Sequence, residues 1–459
     1  MASFTLCNLY NGNVLCVSQG ELFMTTLAVI GSGYVAIVTA VCFAAMGHKV
    51  LYACTLKPEL NQLQQGQPAF YEEGLEAALT TELERGTLTL TNDPTAATQA
   101  ADVVFISVTA LALPSGKIDL KPLHKLIPLI KKGLANSADK PKLLVERSTL
   151  PITTAEWLLA QFADSPNVAV AAVPQFLREG HAIKDFNQPD RIIIGAQSQQ
   201  AIDTLVSLFS PLRAPLLITD INSAELIKHA TNAFLAMKIS FINSMAQLCE
   251  HVGADVEQVA KGLGMDKRIS DAFLNAGLGY GGLFLPRDLA SLIQTGNDHH
   301  LSLDLLKATE VINRYQRISF MERVEAAVGG SLHGKTVALW GLAYRPNTSD
   351  MRDAPSTQVV WGLQNRGATI RAYDPLAMPA AQEKVKNVTF CQSCYEAAEG
   401  ADVIAIVTEW EEFQQLNFKR LKEATQCRLI VDGRNLYNLK RMQELGFTYH
   451  SIGRPKVVG

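Results

Sequence analysis

A long uncharged stretch, residues 22–48, is interrupted by two closely spaced glycines, Gly31 and Gly33. An uninterrupted stretch of this length could span a membrane. The interruption instead favours a buried strand at Leu27–Ile30, a tight turn, and a buried helix that ends at Gly47. A strand, a glycine turn and a helix in this order are the usual beginning of a parallel α/β sheet.

The turn reads Gly31-Ser32-Gly33-Tyr34-Val35-Ala36 and follows the Gly-x-Gly-x-x-Ala pattern. Glycines between a strand and a helix let the backbone approach a pyrophosphate at the helix N-terminus. The pattern predicts a dinucleotide site, with cofactor contacts from Gly31, Gly33, Tyr34 and Val35.

The end of the second strand, Lys49–Ala53, lacks the acidic residue that usually holds the ribose hydroxyls of NAD. Cys54 stands there, and Lys57 follows it. Ala36 in the third motif position and Lys57 suit a 2′-phosphate, so NADP is an alternative to NAD. We expect weak or altered binding that involves Cys54 and Lys57; loss of dinucleotide binding is the other alternative.

The composition is that of a globular protein with several cores, since 48% of its 459 residues are hydrophobic. A net charge of −3 gives no general attraction to nucleic acid or to an anionic membrane. Eight cysteines in a chain of this length are typical of reduced thiols, so we expect a cytoplasmic protein. Cys391 and Cys394 lack the second pair that a zinc site needs, so no metal is expected.

Strands and helical stretches alternate in both halves of the chain, which predicts an α/β fold with two Rossmann-like doubly wound domains. Between them, Asn222 and Glu225 resemble a capping box with Asn222 as the N-cap. No Pro or Gly then occurs before Gly253, so one long helix is predicted. Residues 1–23 contain no Lys or Arg and are interpreted as an added or upstream-translated segment, not as a signal peptide. The predicted domains are this N-terminal extension (1–23), a dinucleotide-binding domain (24–212), a central helical dimerisation domain (213–318) and a C-terminal α/β domain (319–459).

Several longer motifs are spread along the chain: Tyr71-Glu72-Glu73-Gly74-Leu75, Glu146-Arg147-Ser148-Thr149-Leu150-Pro151, Phe176-Leu177-Arg178-Glu179-Gly180, Pro189-Asp190-Arg191, the run from Phe273 to Gly282, Met351-Arg352-Asp353-Ala354-Pro355-Ser356 and Asp432-Gly433-Arg434-Asn435. With these motifs the chain resembles the UDP-glucose/GDP-mannose dehydrogenase family from Met24 to about Gly453. The resemblance implies NAD-dependent oxidation of C6 of a nucleotide sugar, from alcohol to carboxylate, with a catalytic cysteine. It also implies that the C-terminal domain binds the UDP-sugar.

Two positions depart from the family pattern where the second oxidation takes place. The family cysteine follows the glycine-rich loop, and here that position holds Phe284 between Leu283 and Leu285. The family's Asn-Pro-Glu motif, whose Glu assists thioester hydrolysis, reads Val173-Pro174-Gln175. A benzyl group is no nucleophile and an amide is no general base, so this half-reaction is predicted to be lost.

Other family positions are kept. Lys228 and Asn232 match the catalytic Lys and Asn, Asp288 matches the catalytic Asp, and Thr149 matches the active-site Thr. Arg268 matches a residue that reaches the sugar of the neighbouring subunit. Arg434 and Arg345 match positions that contact the uridine part and the phosphates. The substrate contacts that the resemblance implies are Phe176, Leu177, Glu179, Arg268, Phe273, Asn275, Tyr280, Gly281, Arg345 and Arg434.

Three functional hypotheses follow from these residues. The first is a divergent enzyme that binds a UDP-sugar and NAD or NADP and performs at most a two-electron step between alcohol and aldehyde. The second is an inactive relative that binds a nucleotide sugar or pairs with an active paralogue. The third is full oxidation through a hydrated aldehyde without covalent catalysis. In each case we expect a homodimer, or a multiple of it, that assembles through the long helix and binds neither nucleic acid nor membrane.

Overall fold

The computed structural model describes the backbone of residues 6–10 and 13–17, and residues 24–111, 113, 116–137 and 140–459 in full. The chain divides into two compact units. Unit 1 comprises Met1–Thr231 with Ala290–Thr295, and unit 2 comprises Asn232–Leu289 with Gly296–Gly459.

Unit 1 is built on a ten-stranded sheet with the order β2-β1-β10-β9-β8-β7-β6-β3-β4-β5. Its strand pairs are parallel except β1 with β2 and β8 with β9. The strands are β1 (Leu6–Tyr10), β2 (Asn13–Val17), β3 (Thr26–Gly31), β4 (Lys49–Cys54), β5 (Leu88–Thr91), β6 (Val103–Ser107), β7 (Lys142–Glu146), β8 (Val168–Ala172), β9 (Ile192–Ala196) and β10 (Leu216–Thr219).

The helices of unit 1 cover the sheet because its strands are apolar on both faces. Leu27, Ala28, Val29 and Ile30 of the central strand β3 are all fully buried. The helices are α1 (Tyr34–Ala45), α2 (Lys57–Leu63), α3 (Leu75–Arg85), α4 (Pro94–Ala100), α5 (Lys121–Ala135), α6 (Thr154–Gln161), α7 (Ala182–Asn187), α8 (Gln199–Phe209), the 3-10 turn Ser210–Leu212 and the first part of α9 (Ile221–Val252).

Residues 6–10 and 13–17 form sheet structure. Two segments of the predicted extension form β1 and β2, and Leu9 of β1 pairs with Leu217 of β10. The uncharged stretch that follows forms β3 and α1, as the glycine turn predicts. Among the described residues, no helix is both long and apolar enough to cross a bilayer.

Unit 2 contains a six-stranded parallel sheet with the order β13-β12-β11-β14-β15-β16. Its strands are β11 (Thr336–Trp340), β12 (Thr369–Tyr373), β13 (Val388–Phe390), β14 (Val403–Ile406), β15 (Leu429–Asp432) and β16 (Thr448–His450). Its helices, besides the rest of α9, are α10 (Val256–Gly264), α11 (Phe284–Asp298, shared with unit 1), α12 (Asp304–Ala327), α13 (Pro355–Asn365), α14 (Met378–Lys384), α15 (Cys394–Ala398), α16 (Glu411–Gln414), α17 (Phe418–Ala424) and α18 (Leu439–Glu444). The prediction of two Rossmann-like α/β sheets and a long helix is confirmed, whereas the bounds of the four predicted domains stay a prediction.

The start of α9 differs from the predicted capping box. The helix begins at Ile221, two residues before the predicted first residue Ser223, and the Asp220 carboxylate accepts the backbone N–H of Ser223 at 2.8 Å. Asn222 is inside the helix and donates its amide to Glu156. The prediction of Asn222 as the N-cap is wrong because Asp220, two residues before it, takes the exposed amide of the first turn.

Glu225 binds a different helix from its own. Its two carboxylate oxygens accept the backbone N–H groups of Thr153 and Ala155, at 2.7 and 2.8 Å, at the start of α6. Burial raises the pKa of Glu225 from 4.5 to about 7, although these two hydrogen bonds act in the opposite direction. Burial and the nearby Glu225 carboxyl also raise the pKa of Glu146.

Because the pKa of Glu225 is higher in the folded chain, its contribution to stability is complete at low pH and is lost as the pH rises towards 7. Relative to Glu225→Gln, the wild-type free energy of unfolding should fall by on the order of 3 kcal/mol between about pH 4.5 and about pH 8. Urea unfolding at several pH values measures this difference. The exposed Glu84→Gln in α3 should leave the slope unchanged, and a wild-type curve parallel to that of Glu225→Gln would contradict the prediction.

Candidate functional site

The glycine turn after β3 leaves no room for a side chain at either of its two glycines. A Cβ on Gly31 would lie 1.9 Å from the carbonyl oxygen of Ser107, and one on Gly33 would lie 2.6 Å from Oγ1 of Thr109. Gly33 also has a φ of 80°, which favours glycine. The turn leads directly into α1 at Tyr34, and the amides of Val35 and Ala36 in its first turn have no acceptor within the helix. This cradle fits a dinucleotide pyrophosphate.

The predicted contacts after β4 are arranged differently. The thiol of Cys54 donates to the carbonyl of Leu56 at 3.5 Å, and Lys57 is exposed at the start of α2. Burial raises the pKa of the Cys54 thiol. Neither side chain replaces the missing carboxylate.

A carboxylate that the sequence analysis missed lies at the turn. Glu59, in the first turn of α2, accepts the N–H of Gly33 at 2.9 and 3.0 Å through its two oxygens. It also accepts the hydroxyl of Tyr52 at 3.1 Å, and it is only 8% exposed. An acidic residue a few positions after the strand end was the available signal, but only the fold shows that it reaches Gly33.

The structure brings Lys228 and Phe176 together in unit 1. The Lys228 ammonium lies 5.1 Å from the centroid of the Phe176 ring, and the Arg191 guanidinium lies 4.1 Å from the same ring. Lys228 is 4% exposed, so its charge is held near an aromatic face in a largely water-free place. Lys228 therefore does not lie on a solvated helix face, where lysines are usually found.

Gln175 and Thr149 are buried polar residues of the same unit. The Gln175 side-chain oxygen accepts the N–H of Leu177 at 2.7 Å. The Nε2 atom of Gln175 and the Oγ1 atom of Thr149 have no hydrogen-bond partner among the described residues. Gln175 is thus an amide with an unused donor, where general-base chemistry needs a carboxylate.

The loop that carries Leu177 and Glu179 is held by the side chain of Glu72, from an earlier segment of the same unit. The Glu72 carboxylate accepts the backbone N–H groups of Gly180 and Ala182 at 2.6 and 2.7 Å. Glu179 is 5% exposed and Leu177 is 7% exposed. The Tyr71–Leu75 motif therefore has a structural role in holding this loop.

In unit 2, Asn232 and Asp288 form a hydrogen-bonded pair. The Asn232 amide donates to one oxygen of Asp288 at 2.5 Å, and Nε of Arg287 donates to the other at 2.8 Å. Asp288 is fully buried and Arg287 is 6% exposed. The charge-assisted bond from the guanidinium compensates the buried carboxylate and fixes the orientation of the Asn232 amide.

Phe284 is the first residue of α11, and its ring lies 5.4 Å from the guanidinium of Arg287. The residues on either side of Phe284 are Leu283 and Leu285, so this helix start carries no thiol. Burial raises the pKa of each cysteine in the described part of the chain, so none is poised as a thiolate. These cysteines are Cys42, Cys54, Cys249, Cys391, Cys394 and Cys427.

The glycine-rich loop around Tyr280 is held by several hydrogen bonds. Asn313 accepts the N–H of Tyr280 at 2.8 Å and donates to its carbonyl at 3.0 Å, and Arg317 donates to the same carbonyl at 2.8 Å. A Cβ on Gly281 would lie 2.2 Å from the carbonyl oxygen of Asp353. The loop is thus held on both sides by residues of unit 2.

The two arginines expected near a nucleotide differ in their surroundings. Arg434 donates to the carbonyls of Gly279 and Val407, at 3.1 and 2.8 Å, and pairs with Glu409 at 3.1 Å. Arg345 is half-exposed and has no ion-pair partner in the part of the chain that the structure describes. Arg434 therefore supports the glycine-rich loop, and Arg345 is the cation that is available to an anionic ligand.

The other predicted substrate residues lie on the surface of unit 2 or close to it. Arg268 is exposed, and its Nε and Nη2 atoms and its backbone N–H donate to the carboxylate of Asp266. Asn275 is exposed, and Phe273 is half-buried with a φ of 63°.

Comparison with known proteins identifies relatives along nearly the whole chain. Residues 25–213, 222–315 and 338–439 match the NAD binding, central and UDP binding domains of the UDP-glucose/GDP-mannose dehydrogenase family. The chain is 40% identical to UDP-glucose 6-dehydrogenases of Rhizobium meliloti and Pseudomonas aeruginosa, over 94% of this chain and 99% and 98% of theirs. It also resembles a UDP-glucose dehydrogenase structure from Pyrobaculum islandicum, with 33% identity, a TM-score of 0.88, and coverage of 96% of this chain and all of that one.

Gly281→Ala should destabilise unit 2, because the new Cβ would meet the backbone of Asp353 and the ring of Pro355, at 2.2 and 2.8 Å. We expect a loss of at least about 2 kcal/mol, measured by thermal unfolding. Gly262→Ala in α10 is the matched control: its Cβ would meet nothing within 4 Å, and a helical alanine gains about 0.5–1 kcal/mol. Equal melting temperatures for the two variants would show that the loop shifts to accommodate the new Cβ, and would contradict the prediction.

Proposed function

Because this chain belongs to the UDP-glucose/GDP-mannose dehydrogenase family, we propose that it binds a UDP-sugar and oxidises it no further than the aldehyde. The observation that carries this proposal is Phe284 at the position of the catalytic cysteine. The kept Asn232–Asp288 pair and the buried Lys228 support the first oxidation, which needs no covalent intermediate.

The cofactor part of the proposal rests on the match of residues 25–213 to an NAD binding domain and on the glycine cradle. Gly31 and Gly33 let the backbone approach the pyrophosphate, and the first turn of α1 supplies amides to it. NAD⁺, when bound, supplies the hydride acceptor.

The first oxidation removes a hydride from C6 and a proton from its hydroxyl group, so negative charge develops on that oxygen. By its match to the family, we assign Lys228 to stabilise this charge with its ammonium group. Asn232 is assigned as a further hydrogen-bond donor, since Asp288 and Arg287 fix the orientation of its amide. Preorganised donors of this kind stabilise a developing alkoxide because they need not reorient during the reaction.

The second oxidation requires a group that adds to the aldehyde, so that a hydride can leave the resulting tetrahedral carbon. Phe284 cannot add to it, and its ring is larger than the thiol that it replaces. Release of an acid from a thioester further requires water activated by a base, and Gln175 offers only an amide. These two losses support release of an aldehyde.

The nucleotide part of the proposal rests on the UDP binding domain match and on the geometry of unit 2. The loop around Tyr280 is held by Asn313 and Arg317, and Arg345 is an available cation for a diphosphate. Charge-assisted contacts of this type bind phosphates strongly. Arg434 acts on this ligand through the loop that it supports.

A second candidate function is that of an inactive nucleotide-sugar-binding protein, either alone or paired with an active paralogue. The observation that favours it is the loss of the two residues at Phe284 and Gln175 while the residues around Tyr280 are kept. Binding of UDP without any reduction of NAD⁺ would support this alternative.

Incubation with UDP-glucose and NAD⁺ tests the proposed reaction. We expect one reduced cofactor per sugar and an aldehyde product, detected by absorbance and by trapping with a hydrazine. We expect no stoichiometric uronic acid. UDP-glucuronate formed with two reduced cofactors per sugar would refute the proposal.

Variants at Phe284 and Gln175 separate the two losses. Phe284→Cys should form a covalent adduct, visible by mass spectrometry, that releases little acid because Gln175 is unchanged. Adding Gln175→Glu should increase the release of acid. Phe284→Ala is the matched control, since it removes the ring without adding a nucleophile and should form no adduct.

We also propose that the chain dimerises through α9. Phe234, Phe241 and Leu248 recur every seven residues on this helix and are 57%, 47% and 54% exposed. Three large apolar side chains on one face are costly to leave in water. By its match to the family, exposed Arg268 would then reach the sugar bound by the neighbouring subunit.

Phe241→Lys should convert the dimer to a monomer, because it places a charge in the middle of this apolar face. Light scattering of the purified chain at several concentrations measures the change in mass. Leu129→Lys, at a 39% exposed leucine of α5, is the control and should leave the mass unchanged. A wild-type chain that is monomeric at every concentration would contradict this interpretation of α9.

A further inference from the structure

We propose that Glu59 supplies the ribose-binding carboxylate missing from the end of β4, and that it makes the site select NAD⁺ over NADP⁺. The inference rests on the proposed function only in that a dinucleotide binds at the glycine turn. It replaces the sequence-based alternative in which Lys57 attracts a 2′-phosphate.

The position of Glu59 follows from the register of the sheet. Gly31 at the end of β3 pairs with Cys54 at the end of β4, so the glycine turn and the start of α2 lie at the same edge. In parallel α/β sheets, ligands bind outside the carboxyl ends of the strands, with the ribose next to the pyrophosphate. Glu59 reaches this edge from α2 and binds the N–H of Gly33, the residue that precedes α1.

Glu59 leaves the pyrophosphate position open. Its carboxylate takes the amide of Gly33, whereas the amides of Val35 and Ala36 belong to the first turn of α1 and have no acceptor within the helix. Those amides and the positive end of the helix dipole can still bind a phosphate. The carboxylate therefore lies beside the cradle, where a ribose is expected.

Glu59 also keeps acceptor capacity for a hydroxyl. An ionised carboxylate has about four acceptor positions. Oε1 receives the hydroxyl of Tyr52, both oxygens share the N–H of Gly33, and the Cys54 thiol also hydrogen-bonds to this carboxylate. Tyr52 is fully buried, which holds its hydroxyl in the protonated, donating form and fixes Oε1 in place. These three donors leave about one of the four acceptor positions for a ribose 2′-hydroxyl.

A 2′-phosphate meets the opposite situation at this carboxylate. It carries negative charge and offers no hydroxyl, so it would face the Glu59 carboxylate without a hydrogen bond to compensate. Lys57 is exposed, and water screens its attraction for a phosphate more strongly than it screens repulsion by the 8% exposed Glu59. The balance favours the unphosphorylated ribose.

Calorimetric titration of the full chain with NAD⁺ and with NADP⁺, without any sugar, tests this assignment. We expect the wild type to bind NAD⁺ at least about tenfold more tightly than NADP⁺. Glu59→Gln should weaken NAD⁺ binding and bring the ratio below about twofold. Cys54→Asp in the Glu59→Gln chain should restore the preference, which a general loss of folding could not do. Glu76→Gln, an exposed acid in the first turn of α3, is the matched control and should keep the wild-type ratio.

The other outcomes are separable. If the wild type prefers NADP⁺, or Glu59→Gln keeps the wild-type ratio, the assignment of Glu59 is wrong while the proposed function stands. If Glu59→Gln binds NAD⁺ more tightly than the wild type, Glu59 blocks the cradle and the assignment is overturned. If neither wild type nor variants bind a dinucleotide while UDP still binds, the dehydrogenase proposal fails together with this inference.

Discussion

The backbone of Gly31 passes so close to the carbonyl oxygen of Ser107 that a Cβ would lie only 1.9 Å from it. This approach ties the end of β3 to the end of β6 and fixes where the chain turns into α1. The amide of Gly33 and the start of α1 take their positions from that turn, and Glu59 takes its position from the amide of Gly33. The cofactor chemistry proposed for unit 1 therefore depends on one place where only glycine fits.

Unit 2 depends in a similar way on compensated buried charge. Asp288 is fully buried, and the Asn232 amide and the Arg287 guanidinium satisfy its two oxygens. Removal of either donor would leave part of a buried carboxylate unpaired, which costs more than the hydrogen bond itself contributes. Asp288 follows Phe284 closely in the sequence. One short segment thus holds both a family residue that this chain keeps and a position where the family residue is lost.

In the structure, two of the motifs that resemble the family hold the backbone of nearby loops. The Tyr71–Leu75 motif holds a neighbouring loop through Glu72, and Arg434 binds the carbonyl of Gly279 in its own unit. These residues act on a ligand through the backbone that they hold. Substitution of Arg434 would thus loosen the glycine-rich loop as well as remove a charge.

The sequence alone determined the two parallel α/β sheets, the glycine turn, the long helix and the absence of a thiol at Phe284. These features depend on apolar runs, on residues that break helices and on the identity of single residues, all of which are local. Only the tertiary structure decided that Glu59 reaches Gly33, that Asp220 caps α9 while Glu225 binds α6, and that Lys228 lies against Phe176. Except for the Asp220 cap, these contacts join residues from different elements, so no local pattern predicts them. At the cap, two suitable residues lie close together, and the packing of the helix start decides which one is used.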